Sequence, residues 1–177
     1  VARDVPNGAH MYVSRDPSGK KLVAILLNFS TDAAFRADLT LRGRNFDDAL
    51  FERVAADPAV ELASPVLELD TYARTPQGKR ISVRVLGIDA LLAAPLAPAL
   101  WPQAAAGEDR LVFLDPDALF ANAAARELLG LQDGGMLGLQ AGPGYTQLRV
   151  AGSAATSGPP TVLMDLAGAQ ARFGALG

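Results

Sequence analysis

No apolar run in this sequence exceeds six residues before a turn former, polar residue or charge interrupts it. The longest is Leu22-Val23-Ala24-Ile25-Leu26-Leu27. A helix that crosses a bilayer needs roughly 18 or more consecutive apolar residues, so the sequence reads as a soluble globular chain. Short runs between turn formers dictate short strands and short helices. The punctuation is local and specific. Asp16-Pro17-Ser18-Gly19, Thr75-Pro76-Gln77-Gly78 and Gly142-Pro143-Gly144 combine glycine, which takes positive φ, with proline, which sets φ at a turn's first corner, and Gly134-Gly135 is a turn of glycine alone.

Between these turns the hydrophobic period alternates between two and 3.6. Met11 to Ser14 and Leu22 to Leu27 read as a hairpin around the first turn, the second arm apolar on both faces. Asp38-Leu39-Thr40-Leu41-Arg42 alternates as a strand with one wet face. Asp47 or Asp48 is placed to cap a helix carrying Ala49, Leu50, Arg53, Val54 and Ala55, with Pro58 as its stop. Strands follow at Val66, Leu67 and Leu69, and at Ile81, Val83 and Val85. Residues 91–107 carry alanine and proline with little period, and read as a loop with one short helix. Leu111-Val112-Phe113-Leu114 reads as a buried strand. Asn122 and Gly130 bracket a helix through Leu128 and Leu129. Strands are expected at 136–140, 147–151 and 161–164, and Asp165 caps a last helix with Leu166, Ala169, Gln170 and Phe173. The grammar is α+β.

Composition removes several chemistries. The 177 residues suffice for one domain or two small lobes with a real core. Cysteine is absent, which excludes disulfides, thiolate metal sites and a cysteine nucleophile. The single histidine, His10, excludes any mechanism that needs two imidazoles, and it falls in an expected terminal loop. Sixteen basic and nineteen acidic residues, without a long basic cluster, argue against nucleic acid as a partner.

The remaining candidates weigh toward structure. Gly142-Pro143-Gly144 lacks the third glycine of a dinucleotide fingerprint, since Gln147 stands there, and a hairpin turn is the better reading. Gly19-Lys20-Lys21 and Gly78-Lys79-Arg80 read as turn charges. Asp115-Pro116-Asp117 offers two carboxylates for a hard cation or for acid–base work; helix capping with Pro116 at a first helical position is preferred. Ser153 lacks the glycines of a nucleophile elbow. Trp101 is either packed in the core or an exposed contact anchor between lobes. No catalytic, cofactor-binding or metal-ligating residue is nominated, and the expectation is a non-enzyme without cofactor.

One ordered set of short motifs resembles a known family. Phe51-Glu52-Arg53-Val54, Asp57-Pro58-Ala59-Val60-Glu61 and Ala63-Ser64-Pro65-Val66 come first, followed by Val85-Leu86-Gly87-Ile88-Asp89. Leu128-Leu129-Gly130-Leu131, Leu148-Arg149-Val150-Ala151-Gly152 and Met164-Asp165-Leu166-Ala167 complete it, with Ala169-Gln170 and Phe173-Gly174. Over residues 35–177 this resembles the MacB-like periplasmic core domain of FtsX/MacB-type ABC transporter permeases. The resemblance implies a porter-like α/β lobe plus a smaller β-rich lobe. It divides the chain into a first lobe at 1–90, a hinge or loop at 91–107, and a β-rich second lobe with short helices at 108–177. It further implies a periplasmic, extracytoplasmic domain at the inner membrane, attached to that membrane outside this segment. Such a domain transmits conformational change to a substrate or periplasmic partner during export of lipoprotein, peptide or drug. A cytoplasmic ABC ATPase would act through the membrane part, with a second permease copy or a periplasmic protein as further partner. Two alternatives stand beside it. One is a stand-alone periplasmic binding or adaptor domain. The other follows Tyr12, Ser14, Arg15 and Asn28-Phe29-Ser30, which look like the closing strands of amylase-type glycosidases and imply an accessory β-domain of a carbohydrate-active enzyme.

Overall fold

Val83 and Val85 point one way from their strand, Leu86 and Ile88 the other, and the two sets enter two different cores. That alternation organises the molecule. The computed structural model describes residues 2–5, 9–14, 23–27, 39–43, 48–57, 60, 62–75, 77–96, 101–109 and 111–174. In chain order the first elements are strands β1 (Ala2–Val5), β2 (Ala9–Ser14), β3 (Val23–Leu27) and β4 (Leu39–Gly43), then helix α1 (Asp48–Ala55). Next come β5 (Ala63–Arg74), β6 (Arg80–Ile88), helix α2 (Ala90–Leu96) and the two-residue β7 (Gln103–Ala104). A 3-10 turn (Val112–Leu114) leads to β8 (Ala118–Ala121) and helix α3 (Ala123–Leu129). Strands β9 (Met136–Ala141), β10 (Gly144–Ser153) and β11 (Thr161–Asp165) and helix α4 (Leu166–Phe173) complete the fold. The class is α+β.

All eleven strands among the described residues join one sheet, in the order β1-β2-β4-β3-β5-β6-β11-β8-β10-β7. Strand β9 pairs with β10 and, through Ala73 and Leu139, with β5. The six strands β5, β6, β11, β8, β10 and β9 therefore form a closed circuit of neighbours, which leaves few edges to protect. The Thr71 hydroxyl fastens the closure by donating to the Gln140 carbonyl at 2.5 Å. One core gathers Leu67, Val83, Val85, Leu119, Leu139, Leu148, Val150, Val162 and Met164. The second, on the other face of β6, β8 and β11, holds Val66, Ile88, Phe120 and Leu163 with Ala93 of α2 and Val112. Each large side chain so buried contributes about 1.5–3 kcal/mol. Helix α4 lies close against the sheet because Gly87 presents no side chain to Ala169 and Leu67.

Local signals produce local structure as expected. Asn122 Oδ1 accepts from the Ala125 N–H, and Gly130 ends α3 at φ 64°. Asp165 Oδ2 accepts from Gly168 N at 2.9 Å and caps α4. Gly78, at φ 81°, closes the β5–β6 turn by donating to the Thr75 carbonyl.

Three expectations are corrected. β2 and β3 both form, but β4 lies between them, paired in parallel with β2 and antiparallel with β3. They are not a hairpin. His10 lies in β2, opposite Asp4 of β1, rather than in a terminal loop. Residues 112–114 form a 3-10 turn instead of a buried strand, because Asp109 Oδ1 accepts from Leu111 N at 2.7 Å and local bonds close the coil. The strand comes later, at β8, where the sequence suggested the start of a helix capped at Asp115–Asp117. The one short helix expected in the alanine–proline stretch is α2, Ala90–Leu96, capped by Asp89 Oδ1 on the Leu91 and Leu92 amides. Beyond it, β7 pairs with β10. Strands before and after this stretch share one sheet, since β6 pairs in parallel with β11. The turn at residues 16–19, the segment 28–30, the Asp47 cap, Pro76 and the Pro58 stop lie outside the described residues.

Candidate interaction surface

The period of two that buries Ala73 in β5 turns Tyr72 and Arg74 to the outside. Across the turn, Arg80 stands directly opposite Arg74 in the β5–β6 register. Like charges facing each other across a ladder are destabilising, and the structure offsets this with neutral partners. The Arg80 guanidinium lies 3.7 Å from the centre of the Tyr72 ring, and its Nη2 donates to Gln140 Oε1 at 2.7 Å. The Arg74 guanidinium sits 5.4 Å from the Tyr145 ring centre, and its Nε donates to the Tyr145 hydroxyl at 3.2 Å. A cation–π contact at an exposed site contributes about 0.5–1 kcal/mol. Tyr72 and Tyr145 each remain 42% exposed. Among the described residues no carboxylate lies within ion-pair distance of Arg74, Lys79 or Arg80.

A groove of about 350 Å³ opens beside Arg74. Arg74 and Met136 line it with the buried side chains of Thr75, Leu129, Leu131 and Leu137 at its floor. Met136 is 58% exposed and is the open apolar side chain of the groove. Tyrosine, arginine and methionine are the residue types enriched at protein–protein contacts. Tyr72, Tyr145 and Arg74 were not singled out by the sequence. The signal was present as an aromatic and a cation two apart on the wet face of an alternating strand.

The carboxylate pair at 115 and 117 has a different role from either expected one. No helix follows it; Asp115 Oδ1 accepts from Asp117 N at 2.9 Å in a side-chain turn that leads into β8. Asp115 Oδ2 lies 3.5 Å from Nη2 of Arg149, which also bonds Glu108. The Glu108 bond, with the charge of both carboxylates, holds the Arg149 guanidinium above its ordinary pKa. Asp117 pairs with Arg172 of α4. An arginine beside each carboxylate opposes a bound cation. The cluster instead ties β10 and α4 to the loop before β8.

The other sequence candidates are scattered. Gly142-Pro143-Gly144 is the β9–β10 hairpin turn. Ser153 lies at the end of β10 opposite Gln103, and lines a second depression of about 340 Å³ with Arg126, Asp133 and Gly152. Arg126 is paired there with Asp133 at 2.7 Å. Trp101 is 38% exposed, its ring 4.9 Å from that of Phe113. The ring is therefore packed in part and not fully buried in the core. Among the described residues no group of three or more histidine, aspartate or glutamate side chains is placed to hold a metal, and no helix is long and apolar enough to cross a membrane.

No protein-family model matches the sequence, and no curated protein matches it. Among solved structures the chain is similar to the extracellular domain of the noncanonic ABC-type transporter YknZ from Gram-positive bacteria. The TM-score is 0.56 at 14% sequence identity, over 86% of this chain and 77% of that one. At so low an identity the likeness concerns architecture. The protein shares the α+β fold of an ABC transporter's extracellular domain.

Proposed function

We infer that this chain is the extracytoplasmic domain of an ABC transporter permease of the FtsX/MacB type. The observation that carries this reading is the shared fold over most of both chains. The ordered motifs from Phe51 to Gly174, which resemble the MacB-like periplasmic core domain, support it independently. In this reading the domain acts by shape and contact rather than by bond chemistry. A cytoplasmic ATPase supplies the energy through the membrane part, and this domain passes the motion to a substrate or a protein partner. Export of a lipoprotein, peptide or drug fits that role, as does contact with a second permease copy. The division into lobes at 1–90 and 108–177 belongs to the same reading, with the joint at 91–107. The closed six-strand circuit supplies a stiff body for transmitting force, and the Tyr–Arg face and its groove supply a surface to receive a partner.

The test is to tag the complete gene product that contains this chain and purify it from its own cells in detergent. An ATP-binding subunit is expected to co-purify in a fixed ratio, with ATPase activity in the eluate. Recovery of the gene product from the soluble fraction, with no nucleotide-binding protein attached, overturns the reading.

A further inference from the structure

The geometry points to the outer face of the β5–β6 hairpin tip, with the adjoining groove, as a docking site for an acidic segment of a protein partner. The segment presents a glutamate or aspartate to Arg74 and Arg80 and an apolar side chain to the groove. This rests on the surface alone and stands whatever machine the domain belongs to.

Three observations carry it. The first is charge. Arg74 and Arg80 face each other across the ladder, Lys79 stands beside them in the turn, and none has a carboxylate among the described residues. Arginine pairs bind planar carboxylates through forked hydrogen bonds, and here both forks are held at fixed positions by Tyr72, Tyr145 and Gln140. Such preorganisation lowers the entropy lost on binding. The second is the groove, which Arg74 itself lines and which offers the exposed Met136 over a floor of buried leucines. A charged residue next to an apolar one on the partner satisfies both at once.

The third observation separates a peptide from an extended polyanion. Glu68 and Asp70 lie further along the same face of β5, about 13 Å from Arg74 at the usual rise per residue for Asp70. Arg84 partly neutralises them, at 3.3 Å and 3.7 Å. A nucleic acid or an anionic membrane laid on this hairpin would meet those carboxylates, on a chain whose net charge is already −3. Three cations at one hairpin tip match one or two carboxylates.

The test is an NMR titration of the 177-residue chain with two blocked hexapeptides, one alternating glutamate and leucine, the other alternating glutamine and leucine. The glutamate peptide is expected to shift the amides of residues 72–75, 77–80 and 129–138, and to bind more weakly as salt rises. The double variant Arg74→Gln, Arg80→Gln is expected to weaken it at least about tenfold. Equal shifts from both peptides overturn the proposal, and this control holds even if the double variant fails to fold. Undiminished binding by a folded double variant also overturns it. So does loss of binding to phosphatidylglycerol vesicles in that variant when the glutamate peptide never binds, which assigns the face to lipid.

Discussion

Replacing Asn122 with alanine is expected to cost roughly 3–5 kcal/mol of stability, a drop in Tm of roughly 10–15 °C. The side chain is 1% exposed and every polar position on it is used. Its Oδ1 accepts from Ala125 N at 2.9 Å and from Thr161 N at 3.0 Å. Its Nδ2 donates to the carbonyls of Thr156 and Pro159, at 3.2 Å and 2.9 Å. Loss of a helix cap alone costs about 1 kcal/mol. Alanine does more, because it leaves the buried amides of Ala125 and Thr161 and the half-buried Thr156 carbonyl without that partner, while the Pro159 carbonyl keeps only the Thr161 hydroxyl. Asn122 thus joins the start of α3, the start of β11 and the loop between β10 and β11. Urea unfolding of the variant is the measurement. A loss below about 1 kcal/mol would show that water or a shifted loop replaces these bonds, and that the junction is not structural.

The second large effect is expected at Gly152. A Cβ there meets the Gln103 carbonyl oxygen at 2.0 Å, and Ala104 Cα and Ala105 N at 3.0 Å. All are backbone atoms, so no side-chain rotation relieves the clash. The neighbouring Ala151 is the extra residue of a bulge in β10, and its carbonyl accepts from Ala105 N at 2.8 Å. Gly152→Ala is expected to expel β7 from the sheet at a cost of about 2–3 kcal/mol. Expulsion is cheaper than global unfolding because β7 has only two residues. The displaced segment carries the chain's single tryptophan, Trp101, which packs on Phe113. Its emission is expected to shift to the red and to become more open to acrylamide, while the far-ultraviolet circular dichroism holds. Unchanged emission, with stability within about 0.5 kcal/mol of the parent, would mean the close approach of β7 to β10 is not kept in solution.

Caps and turns were legible from the sequence because their causes are local. As caps and turn residues Asn122, Asp165, Gly130 and Gly78 act within four residues of themselves, whereas the bonds of Asn122 to Thr156, Pro159 and Thr161 left no local signal. β8 was not legible. Ala-Leu-Phe-Ala is buried on both faces and so has no alternation to betray it. The Val112–Leu114 segment misled for the converse reason: β-branched and aromatic residues suit a strand, but Asp109 bonds the local amides and coils them. The insertion of β4 between β2 and β3, and the closure of β9 on β5, depend on partners distant in sequence. No local period records such pairings. The interaction face was missed because its parts looked ordinary separately. Arg80 read as a turn charge and Tyr72 drew no reading, until the register set Arg80 opposite Arg74 and its guanidinium over the Tyr72 ring.

The central claim is that this domain faces away from the cytoplasm, and the absence of cysteine makes that directly measurable. Gln77, exposed in the β5–β6 turn, is replaced by cysteine in the complete gene product, with any cysteine elsewhere in that product changed to serine. Intact cells are then treated with a membrane-impermeant maleimide. The account predicts labelling as full in intact cells as in lysed ones. Labelling only after lysis would place the domain in the cytoplasm and contradict the account.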